Sequence, residues 1–189
     1  MNWAEAEQRI HKCLVSAEQS SHCDPLLKVR AAGDIYRAWY LEQQEGFLAV
    51  TETMLRQWAA EDGISVFDVE DASEKNDRNA FSVRKLSGIL ECSGDAGQQL
   101  YVVSRKNGIL GAAAILDKAV QAELQEIFPD GYYILPCSVH EVLAVPAGIA
   151  DTDGLLNLVR SINRNGTDAA DRLSDHVFAV SHGRLTVVA

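Results

Sequence analysis

The sequence predicts an α+β protein: an antiparallel sheet of up to six strands in the order β-β-α-β-β-α-α-β-β, helices on one face, and a helical N-terminal portion. Three observations carry this. Asn107-Gly108 separates two apolar runs, residues 100–104 and 109–116, and both turn residues accept the positive φ of a tight hairpin. Asp117 then caps a helix whose Val120, Leu124, Ile127 and Phe128 form one stripe, and Pro129-Asp130-Gly131 ends it. Two further strand pairs follow, 131–136 with 141–145 around Cys137-Ser138-Val139-His140, and 176–180 with 185–188 around His182-Gly183. The division expected is a mainly helical portion over 1–86 and a sheet domain over 87–189, packed as two parts or as one unit.

Upstream, Trp3, Ala6, Ile10, Cys13, Leu14 and Ala17 recur at steps of three and four, so residues 2–19 read as an amphipathic helix. Ser20-Ser21-His22-Cys23-Asp24-Pro25 breaks it. Residues 26–44 fit two readings. Ile35, Tyr36, Trp39 and Tyr40 suit a helix face, which is favoured, while Gly33 and the aromatic and β-branched content leave a strand open. Residues 46–50 form a short strand or connection. Thr51 caps a helix carrying Met54, Leu55 and Trp58, and Gly63 stops it. Ser65 with Asp68 is a capping signal for 66–79, an acid-rich segment expected at the surface. Gly88, Gly94 and Gly97 mark a loop over 87–97. Near the C-terminus, Asp151 to Asp153 open a helix bearing Leu155, Leu158, Val159 and Ile162; Asn165-Gly166 ends it, and Thr167 caps a short helix to Leu173.

Composition narrows the function classes. The 47% apolar content suits a packed globular chain. No apolar run approaches the ~20 residues that span a bilayer. The acidic start, Met1-Asn2-Trp3-Ala4-Glu5, is unlike a secretory signal, so a cytoplasmic location without membrane attachment is expected, and the sequon Asn165-Gly166-Thr167 should stay unmodified. Cys13, Cys23, Cys92 and Cys137 form no Cys-x-x-Cys and read as reduced thiols. The net charge of −10, with no run of Lys and Arg, disfavours direct nucleic-acid binding and favours a protein partner with a basic surface. No phosphate-binding Gly-rich motif enters a helix, so no cofactor is expected; Gly108 and Gly111 are explained by a turn and by close packing.

The segment Tyr133-Ile-Leu-Pro-Cys-Ser-Val-His-Glu-Val-Leu-Ala-Val-Pro146 resembles one found in an uncharacterised family of bacterial proteins, frequent on mobile genetic elements of gut anaerobes. Members carry an Ile-Leu-Pro-Ser-Ser-x-His-Glu-Val-like run there. Gly111-Ala-Ala-Ala-Ile-Leu116, Leu158-Val-Arg-Ser-Ile-Asn163 and Leu173-Ser-Asp-His-Val177 look similar too, and Leu55-Arg-Gln-Trp58, Ile64-Ser65 and Asn76 fit more loosely. The resemblance implies one α+β domain and transfers no catalytic role. A serine is commoner in the family at the position of Cys137, which argues against an essential thiol.

Candidate chemistry is sparse. Cys137 and His140 could form a thiolate–imidazole pair serving a hydrolase, but a tight turn more readily uses Ser138 and His140 to bond its own backbone, with Glu141 exposed on the strand. His11, Cys13, His22 and Cys23 lack a standard zinc spacing, so no metal is expected. Ser174-Asp175-His176 is triad-like only on paper, because neighbours on a strand point apart. The feature favoured for function is the acidic window Glu61, Asp62, Asp68, Glu70, Asp71, Glu74 and Asp77, interrupted only by Lys75. Solvated charge is its ordinary explanation. Its functional reading is a negative surface that docks on a basic groove in place of nucleic-acid phosphates. The expected protein is a non-catalytic, mobile-element-borne inhibitor of a nucleic-acid-handling protein, anti-CRISPR-like and directed against a Cas nuclease; the alternative is the thiol hydrolase.

Overall fold

A computed structural model describes residues 1–18, 24–86 and 100–189. The expected loop over 87–97, Cys92, and the His22-Cys23 break lie outside those residues. The fold is α+β, with two antiparallel sheets.

The N-terminal portion is not mainly helical. After a single helical turn, α1 (Trp3–Ala6), come β1 (Ile10–Ser16), β2 (Lys28–Ala32), β3 (Ile35–Glu42) and β4 (Phe47–Ala49). Strand β3 is central, pairing with β1, β2 and β4, all antiparallel. The helical reading failed because both faces of this sheet are covered. Trp39 and Leu41 point to one cluster while Ala38 and Tyr40 point to another, so the alternation that marks a half-exposed strand is lost. In β1, Ile10, Cys13 and Leu14 are all buried for the same reason, and their spacing happens to match a helical stripe.

Two helices cover the first face. In α2 (Glu52–Asp62) the Thr51 hydroxyl accepts from Met54 N at 3.3 Å, and Gly63 ends the helix at φ 72°. In α3 (Val66–Asn76) the Asp68 carboxylate accepts from Ser65 N at 2.8 Å and Ser65 Oγ at 2.6 Å. Both caps lie where the sequence placed them. Trp58, Val69 and Ala72 close over Trp39 and Leu41.

The second sheet has six strands, in the order β10-β9-β7-β8-β6-β5. They are β5 (Phe81–Lys85), β6 (Tyr101–Arg105), β7 (Tyr132–Leu135), β8 (Glu141–Pro146), β9 (Phe178–Ser181) and β10 (Arg184–Val187). One expected member is replaced. Residues 109–116 are not a strand: Leu110 takes φ 51° and Gly111–Leu116 coil into a buried 3₁₀ helix, while β5 and β8 flank β6. Asn107-Gly108 does turn the chain, its Oδ1 accepting from Ile109 N at 3.1 Å, but it joins no hairpin. The small side chains of Gly111-Ala112-Ala113-Ala114 let this segment pack inside the core. A Cβ at Gly111 would lie 2.6 Å from Ser104 Oγ and 2.7 Å from His140 O.

Helices lie on both faces of this sheet, not one. Tyr132, Ile134, Val142 and Ala144 face the 3₁₀ helix, α4 (Lys118–Ile127) and the first sheet, in one core that also holds Cys13, Ile35 and Ala38. Leu135 and Val145 face the other way, onto Leu155 and Val159 of α5 (Thr152–Asn165). The short helix expected from Thr167 to Leu173 is a series of turns. Among the described residues no helix is long and apolar enough to cross a membrane.

Candidate functional site

Helix α3 carries most of the acidic window and sorts it by helical phase. Val69, Ala72 and Ser73 turn inward, and the carboxylates sharing their side of the helix turn inward too. Glu61, Asp62, Asp68, Asp71 and Glu74 are exposed. Glu70 is half-buried. Asp77 is 2% exposed, so its place in a docking surface is corrected: it is a core residue.

Asp77 anchors a buried charge network. Its carboxylate lies 2.9 Å from an Arg105 Nη and 2.7 Å from His11 Nδ1, and accepts from Lys12 N at 3.1 Å. Arg105, itself 4% exposed, stacks over Phe81 at 4.9 Å and over Tyr40 at 5.9 Å. Two turns back on α3, Glu70 Oε1 is 2.8 Å from Arg37 Nη1 and 3.4 Å from Lys12 Nζ, which also meets Glu74 at 3.4 Å. Three cations (Lys12, Arg37, Arg105) thus face three carboxylates (Glu70, Glu74, Asp77) between α3, β1, β3 and β6. The Trp39 indole N–H reaches Ser73 Oγ at 3.2 Å, and Asn76 Nδ2 donates to the Glu7 and Ile10 carbonyls at 2.8 Å. These bonds fix the helix by its inner side.

The outer side carries a residue the sequence reading passed over. Phe67 is 77% exposed, the most exposed large apolar side chain among the described residues. Asp71 and Glu74 follow it at i+4 and i+7, so the ring and both carboxylates share one face. Asp68 is its sequence neighbour, and the Ser65 hydrogen bonds hold the Asp68 carboxyl below its usual range. The available signal was phase: Phe67 lies off the stripe formed by Val66, Val69 and Ala72.

The turn from Cys137 to Glu141 does not bring a nucleophile to a base. Cys137 is buried, its Sγ donates to Leu135 O at 3.5 Å, and burial, followed by the Glu141 charge, pushes its thiol up to about 12. His140 turns elsewhere. Its Nδ1 accepts from Leu110 N at 3.1 Å, which leaves the neutral ring's proton on Nε2, 3.6 Å from Asp171 Oδ1. Ser138 Oγ accepts from the His140 and Glu141 amides, the turn-forming role expected of it. A thiolate nucleophile needs a nearby cation to lower its pKa, and here the shift runs the opposite way.

The other constellations disperse. Ser174 donates to Asp34 at 2.7 Å, Asp175 accepts from Asn163 at 2.7 Å, and His176 Nδ1 meets Ala189 O at 3.2 Å. Cys13 is buried, with its thiol pushed to about 12 by burial, while His11 bonds Asp77; His22 and Cys23 lie outside the described residues. Among the described residues no group of three or more His, Cys, Asp or Glu side chains could hold a metal ion.

A family model, described as a family of unknown function, matches residues 35–181, from the start of β3 to the end of β9. No curated protein matches the chain, and no solved structure does.

Proposed function

The chain belongs to that family, DUF5688, and we propose that it is a non-catalytic binding protein whose docking surface is the outer face of α3. The observation that carries this reading is Phe67, 77% exposed on a helix whose neighbouring positions are carboxylates. An exposed aromatic ring costs solvation and gains nothing within the chain, whereas at an interface it supplies an apolar anchor. The carboxylates around it select a partner with a basic surface and speed encounter. The partner class proposed is a nucleic-acid-handling protein whose basic groove accepts these carboxylates in place of phosphates, most concretely a Cas nuclease inhibited by a cytoplasmic protein carried on a mobile element.

The test is retention on an immobilised Cas nuclease at about 50 and about 500 mM salt, where screening of exposed charges differs strongly. Retention at low salt that weakens at high salt is expected. Phe67→Ala should weaken it by about thirtyfold or more, the scale of an interface hot spot, and Asp71→Lys, which leaves the Ser65–Asp68 cap intact, should weaken it as well. Failure to bind at low salt would end the nuclease version.

A further inference from the structure

A cleft of about 690 Å³ opens where the end of α3, the start of β5, the turn after β6 and the first turn of α4 meet. The docking reading does not depend on it. Lys12 closes its inner end, only 5% exposed, and its Nζ has no partner nearer than the two carboxylates at 3.4 Å. Of those, Glu74 is largely exposed and free to swing outward. Around the rim stand Lys75, Arg78, Lys106 and Lys118, from three separate parts of the chain. None of the four has an ion-pair partner among the described residues, although carboxylates outnumber cations over the whole chain.

Four carboxylates also line the cleft. Glu74 is engaged with Lys12, and Asp117 accepts from the Ala119 and Val120 amides as the cap of α4. Asp71 and Glu123 remain against the four rim cations. Five cations against four carboxylates leave a formal +1 on the lining of a chain that carries −10 overall. A buried lysine behind several unpaired cations suits a ligand with adjacent negative charges better than a single carboxylate.

We propose that this cleft binds a small molecule bearing two or more linked phosphates. Lys12 takes a terminal phosphate oxygen as Glu74 turns to solvent, and the rim cations hold the remaining charge. Phe81, Leu116 and Val120 offer an apolar wall beside the phosphates. Free pyrophosphate and a nucleoside diphosphate share the recognised group, and the wall would favour the second.

The experiment is calorimetric titration of the full chain with sodium pyrophosphate and, separately, ADP at low ionic strength, paired with thermal-shift measurements. Binding of both is expected, each at least about tenfold weaker in Arg78→Glu/Lys106→Glu, as loss of charge-assisted hydrogen bonds requires. Arg160→Glu/Arg164→Glu, on the helix behind the second sheet, removes the same charge and should bind like the parent. Tighter binding of ADP assigns the apolar wall to the base. No heat and no thermal shift with either probe overturns the proposal, as does an equal loss in the two charge-matched variants. An oligonucleotide that binds through the rim while pyrophosphate does not would replace it with a nucleic-acid site.

Discussion

Replacing Asp77 by Asn probes what joins α3 to the rest of the molecule. The amide keeps an oxygen for the Lys12 N–H, so the change removes mainly the charge. Arg105 would then be left 4% exposed with its guanidinium charge uncompensated. Its Nε already lacks a partner, and its bond to Lys12 O is long at 3.4 Å. Stacking over Phe81 and Tyr40 cannot replace a carboxylate at 2.9 Å. Leaving one member of a buried pair uncompensated costs about 3–5 kcal/mol. At about 2–4 °C per kcal/mol for a chain of this size, the midpoint should fall by about 6–20 °C. Circular dichroism during heating and in urea reads both quantities. The second arm is Asp77→Leu/Arg105→Met, which removes both charges and should lose much less than the sum of the single changes, a coupling of about 2 kcal/mol or more. A loss below about 1 kcal/mol for Asp77→Asn, or a strictly additive double variant, would refute the network's role.

Other consequences are separately measurable. With its thiol raised from 9.0 to about 12, Cys137 should alkylate with iodoacetamide at pH 8 about a thousandfold more slowly than free cysteine, read by mass spectrometry; rapid labelling of the folded chain would restore the thiol-enzyme alternative. Cys13 and Cys137 both have raised folded values, so above pH 9 the unfolded chain loses these protons first, and stability should fall as pH rises from about 9 toward 12. Gly111→Ala should cost about 2–4 kcal/mol in a urea titration, because the new methyl meets the Arg105 backbone, Ser104 Oγ and His140 O. Asp68 has a lowered folded value, so its capping contribution is complete above the usual carboxyl range and is lost as pH falls through the lower folded value. Ser65→Ala should return the Asp68 carboxyl toward its ordinary value in an NMR titration.

The C-terminal strands were legible because their turns announce themselves. Residues 131–146 and 176–188 alternate between Gly- or Ser-containing breaks, and β7, β8, β9 and β10 lie within a residue or two of expectation. Residues 109–116 misled because an apolar run enclosed on every side has no period; only the size of its Gly and Ala side chains hinted at close packing. The first sheet was hidden by the same effect at larger scale, two covered faces erasing the alternation of β3. At the candidate site, the charge run was plain and its sorting was not. Placing Val69, Ala72 and Ser73 inward puts Asp71 and Glu74 on the far side, but Asp68, Glu70 and Asp77 all fall on the flanks, so helical phase marks the outermost carboxylates without telling the buried Asp77 from the exposed Asp68. The partners of Glu70 and Asp77 could not have been found that way either: Lys12, Arg37 and Arg105 come from three distant strands.

That sorting bears on how α3 would act as a docking element. A helix held only by apolar contacts slides and rolls at little cost, whereas this one is fixed by directional bonds at Glu70, Ser73, Asn76 and Asp77. Phe67 and Asp71 are thereby presented in one orientation before a partner arrives, which lowers the ordering cost of association. Glu74 belongs to both sides. It is exposed enough to meet a partner, yet it helps neutralise the buried Lys12. Reversing Glu74 would therefore remove a docking charge and disturb the inner network together, and weakened binding would have two causes. Asp71 has no such inner partner among the described residues, whereas Asp68 caps α3 through Ser65. A loss of binding on reversing Asp71 alone, with the thermal midpoint unchanged, is the result that isolates docking from folding.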